Sequence, residues 1–163
     1  MQAIEILPEP TTTLRLNCGG ETDFIDWNSF VWDRDACFQG GQAIRSERPV
    51  AQASPTLYDQ ALYHTARSGR EVTYSLSLPP ALYVVHLKFA ELWLSEPGQR
   101  PMDITINGRM VWQAWDPGAA AGQVDMACDL REVNVAPDAT GKITVCVRAV
   151  GSSDAIIQGI EIE

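Results

Sequence analysis

A chain of 163 residues with 45% hydrophobic content has the length of one domain and buries enough apolar surface to fold without a metal or a disulfide. Its 21 acidic against 12 basic residues give a net charge of -9, which argues against nucleic acid and anionic membrane surfaces as partners and favours neutral ligands such as sugars. No apolar run reaches the ~18 residues of a transmembrane helix, and the opening MQAIEILPEP lacks the basic start and long apolar stretch of a signal peptide.

Residues 1–12 read as a leader or linker, and 13–163 as the domain. TTTLRLNCGG (11–20) predicts a first strand that stops at a Gly-Gly break. Residues 21–61 show little periodicity and are rich in Asp, Gly, Pro and aromatics; a loop of that length in a compact domain is usually functional. Asp23, Asp26, Asp33 and Asp35 crowd it and leave room for a structural calcium, although their spacing matches no EF-hand. Ser54 followed by Pro55 suits the start of a short helix within 53–63.

From Tyr63 the pattern changes. EVTYSLSL (71–78) alternates as a half-buried strand, and Pro79-Pro80 ends it. LYVVHLKFAELW (82–93) predicts a second strand, with Tyr83, Val85, Leu87 and Phe89 on one face and Leu82, Val84, His86 and Lys88 on the other. MDITINGRMVWQAWD (102–116) reads as a hairpin about Asn107-Gly108, because a type I′ turn needs positive φ at both central residues. Residues 126–150 give two more strands, and AIIQGIEIE (155–163) a last one. The expected fold is all-β: a two-sheet antiparallel β-sandwich, jelly-roll-like, with long ligand-binding loops and at most a short helix. Val84 or Val85, with Ile104, Ile106, Val145, Ile156 and Ile160, should contribute to its core.

Catalysis finds little support. Nucleophile-elbow, phosphate-loop and HExxH patterns are missing. His86 lies mid-strand and His64 at a strand edge, and no pattern ties a Ser or Cys to either. Asp33 and Asp35 read better as turn formers than as the carboxylate pair of a glycosidase. Cys18, Cys37, Cys128 and Cys146 form no zinc spacing; two disulfides or four buried thiols both fit, with thiols preferred. Trp27, Trp32, Tyr58, Tyr63, Trp93, Trp112 and Trp115 lie mostly in loops or at strand ends. A flat ring there suits the CH face of a sugar while nearby Asp, Asn and Arg bond its hydroxyls.

Six segments in chain order carry a resemblance. LRLNCGG (14–20), WDRDACFQGG (32–41), LYHTAR (62–67), YVVHLKFAELW (83–93), RPMDITINGRMV (100–111) and AIIQGIEI (155–162) together resemble the malectin and malectin-like family. The resemblance implies a β-sandwich carbohydrate-binding domain, found in an endoplasmic reticulum lectin for glucose disaccharides, in plant receptor kinase ectodomains and as an accessory module of bacterial glycoside hydrolases. It implies no catalytic residue and no cofactor. It places the sugar site on Trp32, Tyr63, Trp93 and Asp154, with the second ring of an aromatic pair replaced by Leu94. Tyr63 and the Trp93 loop would be two walls of one cleft, and Arg67 a structural partner for Glu91 or Asp103. The implied partners are an oligosaccharide or polysaccharide and a neighbouring glycosidase domain. The implied location is extracellular or periplasmic for a bacterial module and the endoplasmic reticulum lumen for a eukaryotic lectin. Two lysines against ten arginines and the stretch DPGAAAGQ lean towards a bacterial source.

Overall fold

In a computed structural model of the protein, residues 12–53 and 59–163 are described. The leader up to residue 11 and the Ser54-Pro55 helix start lie outside the described residues. Alternation builds the strands. In β7 (Glu71–Ser77), Val72, Tyr74 and Leu76 point inward; in β12 (Lys142–Ala149), Ile143, Val145, Val147 and Ala149 do the same. Val145 pairs with Tyr74 on one side and Ile106 on the other, so each apolar row lies level with the next.

Two sheets enclose the main core. The six-stranded sheet runs β11 (Leu130–Val135), β8 (Tyr83–Lys88), β14 (Gly159–Ile162), β1 (Leu14–Asn17), β3 (Val31–Arg34) and β2 (Phe24–Ile25). The five-stranded sheet runs β10 (Arg109–Trp115), β9 (Met102–Ile106), β12, β7 and β4 (Phe38–Gln39). Leu16, Val85, Leu87, Ile160 and Ile162 from the first share one cluster with Tyr74, Ile104, Ile106 and Val145 from the second. This is the expected β-sandwich. Val85 rather than Val84 faces inward, and Ile156 is fully buried.

The segment 21–61 differs from the long loop expected of it. It contains β2, β3, β4 and β5 (Gln42–Arg45), strands of two to four residues. Strands that short show no alternation, so periodicity passes over them. β5 forms a third, small sheet with β6 (Thr65–Gly69) and β13 (Ala155–Ile157). A second core of Trp32, Val50, Leu62, Tyr63, Ala90 and Leu92 lies beside it.

Asn107 and Gly108 take φ of 51° and 77°, and Arg109 pairs with Ile106 directly across the turn, as the I′ reading requires. Two short helices complete the described residues, α1 (Gln60–Tyr63) and α2 (Pro117–Ala121). The second has ordinary signals: the Asp116 carboxylate accepts from Ala119 N, Pro117 follows it, and Gly122 closes it at φ 82°.

All four cysteines are free, but only Cys18 is buried; Cys37 is exposed, and Cys128 and Cys146 are half-buried. Burial pushes the Cys18 thiol far above its ordinary range, and burial together with Asp129 raises Cys128. Since the thiolate is the nucleophile, iodoacetamide at pH 8 should label Cys37 first, Cys128 slowly and Cys18 only after denaturation. Mass mapping that found Cys18 alkylated as fast as Cys37 in the folded protein would contradict this.

Candidate functional site

The chain leaves β8 through Phe89-Ala90-Glu91-Leu92-Trp93-Leu94, and buried polar groups fix that exit. Gln158, fully buried, accepts from Ala90 N at 2.9 Å and donates to Ala90 O at 2.6 Å and to Tyr63 O at 3.2 Å. Glu91 is 2% exposed; one carboxylate oxygen accepts from Trp93 N at 3.0 Å and Leu94 N at 2.9 Å. The other accepts from Arg100 Nε at 2.6 Å.

Arg100 joins two loops. Its guanidinium donates to Glu91 and also to the backbone carbonyl of Asp154, while its own N–H donates to Asp116 at 2.6 Å. With both side chains 5% exposed or less, this ion pair is desolvated. Such a pair adds little net stability but strongly specifies geometry, because neither charge tolerates the loss of the other. It holds the Trp93-Leu94 turn against the Gly151–Asp154 turn.

Between those turns lies a cleft of about 360 Å³, lined by Leu94, Gly98, Gln99, Pro101, Gly151, Ser152 and Ser153. No lining residue carries a charge. Leu94 and Pro101 offer apolar surface; Gln99, Ser152 and Ser153 offer donors and acceptors. The other side of the Leu94 turn is tied down by Arg48, which donates to Leu94 O at 3.1 Å and pairs with Asp125 at 2.6 Å.

The four residues expected at the sugar site separate into two pairs. Trp93 and Asp154 lie on the two turns that Glu91 and Arg100 connect. Trp93 is half-buried, its indole N–H donating to Arg45 O at 3.3 Å; the Asp154 side chain is 46% exposed, 3.9 Å from Arg70. Trp32 and Tyr63 belong to the second core. Trp32 is 2% exposed and its indole donates to Asp26 at 3.0 Å; Tyr63 is sealed from solvent and its hydroxyl donates to Asp129 at 2.9 Å. Tyr63 therefore packs behind the Trp93 loop rather than walling a cleft with it.

Arg67 also differs from expectation. It pairs with Asp35 at 2.6 Å and lies 3.3 Å over the Phe38 ring, while Glu91 takes Arg100 and Asp103 takes Arg148 at 3.4 Å. The aspartates expected to crowd 21–61 are taken up by backbone N–H groups and by buried side chains. Asp26 accepts from Asn28 N and Phe30 N, Asp23 from Arg34 N, and Asp35 from Arg67 and the Tyr74 hydroxyl. They do not converge on a calcium site. Among the described residues the three metal-capable side chains that do approach, within 4.8 Å, are His86, Glu161 and Glu163. Arg15 already occupies Glu161.

Glu91, Arg100, Gln158 and Arg48 escaped the sequence reading as site residues. The signal for the first pair was an Arg nine residues after a Glu between two turns, but Arg67 drew the pairing instead.

The family model of the malectin domain matches residues 12–161. No curated protein matches the chain. Among solved structures, the ANXUR1 extracellular domain from Arabidopsis thaliana superposes with a TM-score of 0.79 at 22% identity, over 91% of this chain and 47% of that one. The ANX2 ectodomain from Arabidopsis thaliana gives 0.78 at 22%, over 91% and 48%. A calcium-binding mutant of Bacteroides uniformis beta-glucuronidase 2 gives 0.78 at 18% identity, over 94% of this chain and 18% of that one. At these identities the likeness is one of fold. The chain spans about half of the plant ectodomains and under a fifth of the bacterial enzyme.

Proposed function

The chain belongs to the malectin domain family, and from that premise we propose that it is a non-catalytic module binding a neutral oligosaccharide, of gluco-disaccharide type, in the cleft between Leu94 and Gly151–Ser153. The family is in general a carbohydrate-binding one. The observation that carries the ligand class is the lining: serines, a glutamine and apolar surface, with no charged side chain. A sugar's hydroxyls need donors and acceptors at fixed positions, and its CH face needs apolar contact. The cation at the cleft's edge, Arg70, donates to Ser153 O at 3.3 Å and faces Asp154 at 3.9 Å.

Trp93 and Asp154 flank the cleft on its two turns. Each hydroxyl bond regained contributes only about 1 kcal/mol net, so affinity should fall between millimolar and micromolar, roughly -4 to -8 kcal/mol. Calorimetry with nigerose, maltose and cellobiose tests the reading. Trp93→Ala should weaken the best ligand by roughly tenfold or more, Asp154→Asn by a few-fold, and raised salt should change little because the ligand is neutral. Binding that collapsed at high salt, or strong preference for a uronic acid, would reject the neutral ligand. Release of reducing sugar at enzyme-like rates would reject the non-catalytic assignment.

A second reading rests on the apolar edge at β2 and β3. Ile25, Phe30 and Val31 are 67%, 46% and 50% exposed, a surface that suits a module positioning a neighbouring catalytic domain. Silence across the glycan panel, with tight binding to an adjoining domain, would favour it.

A further inference from the structure

A second cavity, of about 410 Å³, lies beside β5 and meets the Trp93 loop through Arg45, within the size range of small-ligand sites. The turn after β1 makes one wall. Asn17 is 7% exposed; its carbonyl accepts from the Thr65 hydroxyl at 3.0 Å and its amide faces Thr22 O at 3.4 Å. A Cβ on Gly20 would come 2.2 Å from that amide nitrogen, so a larger residue there would displace the Asn17 side chain from its bond with Thr65. Ala43, Ile44 and Arg45 of β5 make the facing wall.

The chemistry is again that of a pyranose. Phe24 and Ile44 supply apolar surface; Asn17, Thr22 and Thr65 supply neutral polar groups. Glu21 and Asp23 at the rim accept hydroxyl hydrogens and, two carboxylates against the one lining cation Arg45, disfavour a uronate. The position matters as much as the lining. Arg45 lines this cavity and its carbonyl holds the Trp93 indole, while Leu94, the next residue, lines the first cleft.

We propose that this cavity is a second glycan subsite flanking Trp93, so that the module reads a neutral oligosaccharide longer than two rings. The proposal rests on the carbohydrate reading of the Leu94 cleft and extends it. A longer ligand recovers contacts on both sides of one tryptophan without a second loss of translational freedom, so affinity rises steeply with chain length.

Amide NMR titrations with maltose, maltotetraose, cellobiose and cellotetraose test this. The disaccharide of the preferred linkage should move Leu94, Gly98, Gln99 and Gly151–Ser153. Its tetrasaccharide should move Gly19–Phe24 and Ala43–Arg45 as well and bind at least tenfold more tightly. Thr22→Leu, which adds bulk at an exposed position on the cavity rim without offering a ring for a sugar to stack on, should return the tetrasaccharide towards disaccharide affinity with disaccharide binding and melting temperature unchanged. Tetrasaccharide shifts confined to the Leu94 cleft, with no gain in affinity, would overturn the second subsite and leave the first standing. No shift in either place with any of the four sugars, nor with nigerose, would overturn both.

Discussion

Replacing Arg100 with methionine is expected to destabilise the protein by about 3–5 kcal/mol, because it leaves a buried carboxylate without its counter-charge. Glu91 is 2% exposed and cannot reach water without moving the Trp93-Leu94 turn it holds by two backbone N–H groups. Against a total stability of about 5–15 kcal/mol that is a large share, and for a domain of this size it corresponds to a fall in melting temperature of roughly 6–20 °C. The double variant Glu91→Gln/Arg100→Met separates charge from packing. Glutamine keeps an oxygen facing Trp93 N and Leu94 N but removes the orphan charge, so stability should partly return. A double variant as unstable as the single one would show that burial of the charge is not the cause. Glycan affinity should stay low in both, since the Asp154 carbonyl loses its donor and the two turns are no longer linked.

The contrast between Arg67 and Arg100 shows where sequence stops informing. Both are near-invisible as partners in a linear reading, because a buried arginine pairs with whatever carboxylate the fold delivers. Asp35 reaches Arg67 across 32 positions; Glu91 reaches Arg100 across nine, around a turn. β7 to β12 were legible because each is long enough to alternate, and Asn107-Gly108 because its chemistry is local; the single last strand expected over 155–163 instead divides at Gln158 into β13 and β14, which join different sheets. β2 to β5 were not: two to four residues cannot display a period of two. Tyr63 misled for a related reason. It begins what reads as a strand edge, yet its burial comes from the second core and from Asp129, 66 positions away. α2 was legible and was overlooked; Asp116-Pro117 and Gly122 are sufficient start and stop signals for a helix of five residues.

The site itself follows from a division of labour among aromatics that composition hides. Trp32 and Tyr63 are enclosed and use their polar atoms on Asp26 and Asp129, which satisfies the polar groups of the second core. Trp93, half-buried, packs against both cores, and its indole N–H is held by Arg45 O at 3.3 Å. A weak ligand with one productive pose benefits from such preorganisation, since little side-chain freedom remains to be lost on binding.

Gly19→Ala should be the most damaging of the glycine substitutions in the turns, at about 2–5 kcal/mol, the sum of a conformational and a steric cost. Gly19 sits at φ +74°, where a Cβ costs roughly 1–2 kcal/mol. The added methyl would also lie 2.2 Å from the Ala66 carbonyl oxygen and 2.4 Å from its carbon. Those are backbone atoms and cannot rotate aside. Ala66, on β6, pairs with Ile44 of β5, and β6 is the central strand of the small sheet, so relief requires moving a strand bound on both edges; forced overpacking of this kind costs about 1–3 kcal/mol. Gly108 is the control. Its φ is +77° but nothing lies within 4 Å of where a methyl would stand, so Gly108→Ala should carry the conformational cost alone. Urea denaturation of both variants measures the difference, which isolates the contact with Ala66. Equal losses for the two would show that the close approach of Gly19 to β6 contributes nothing to stability.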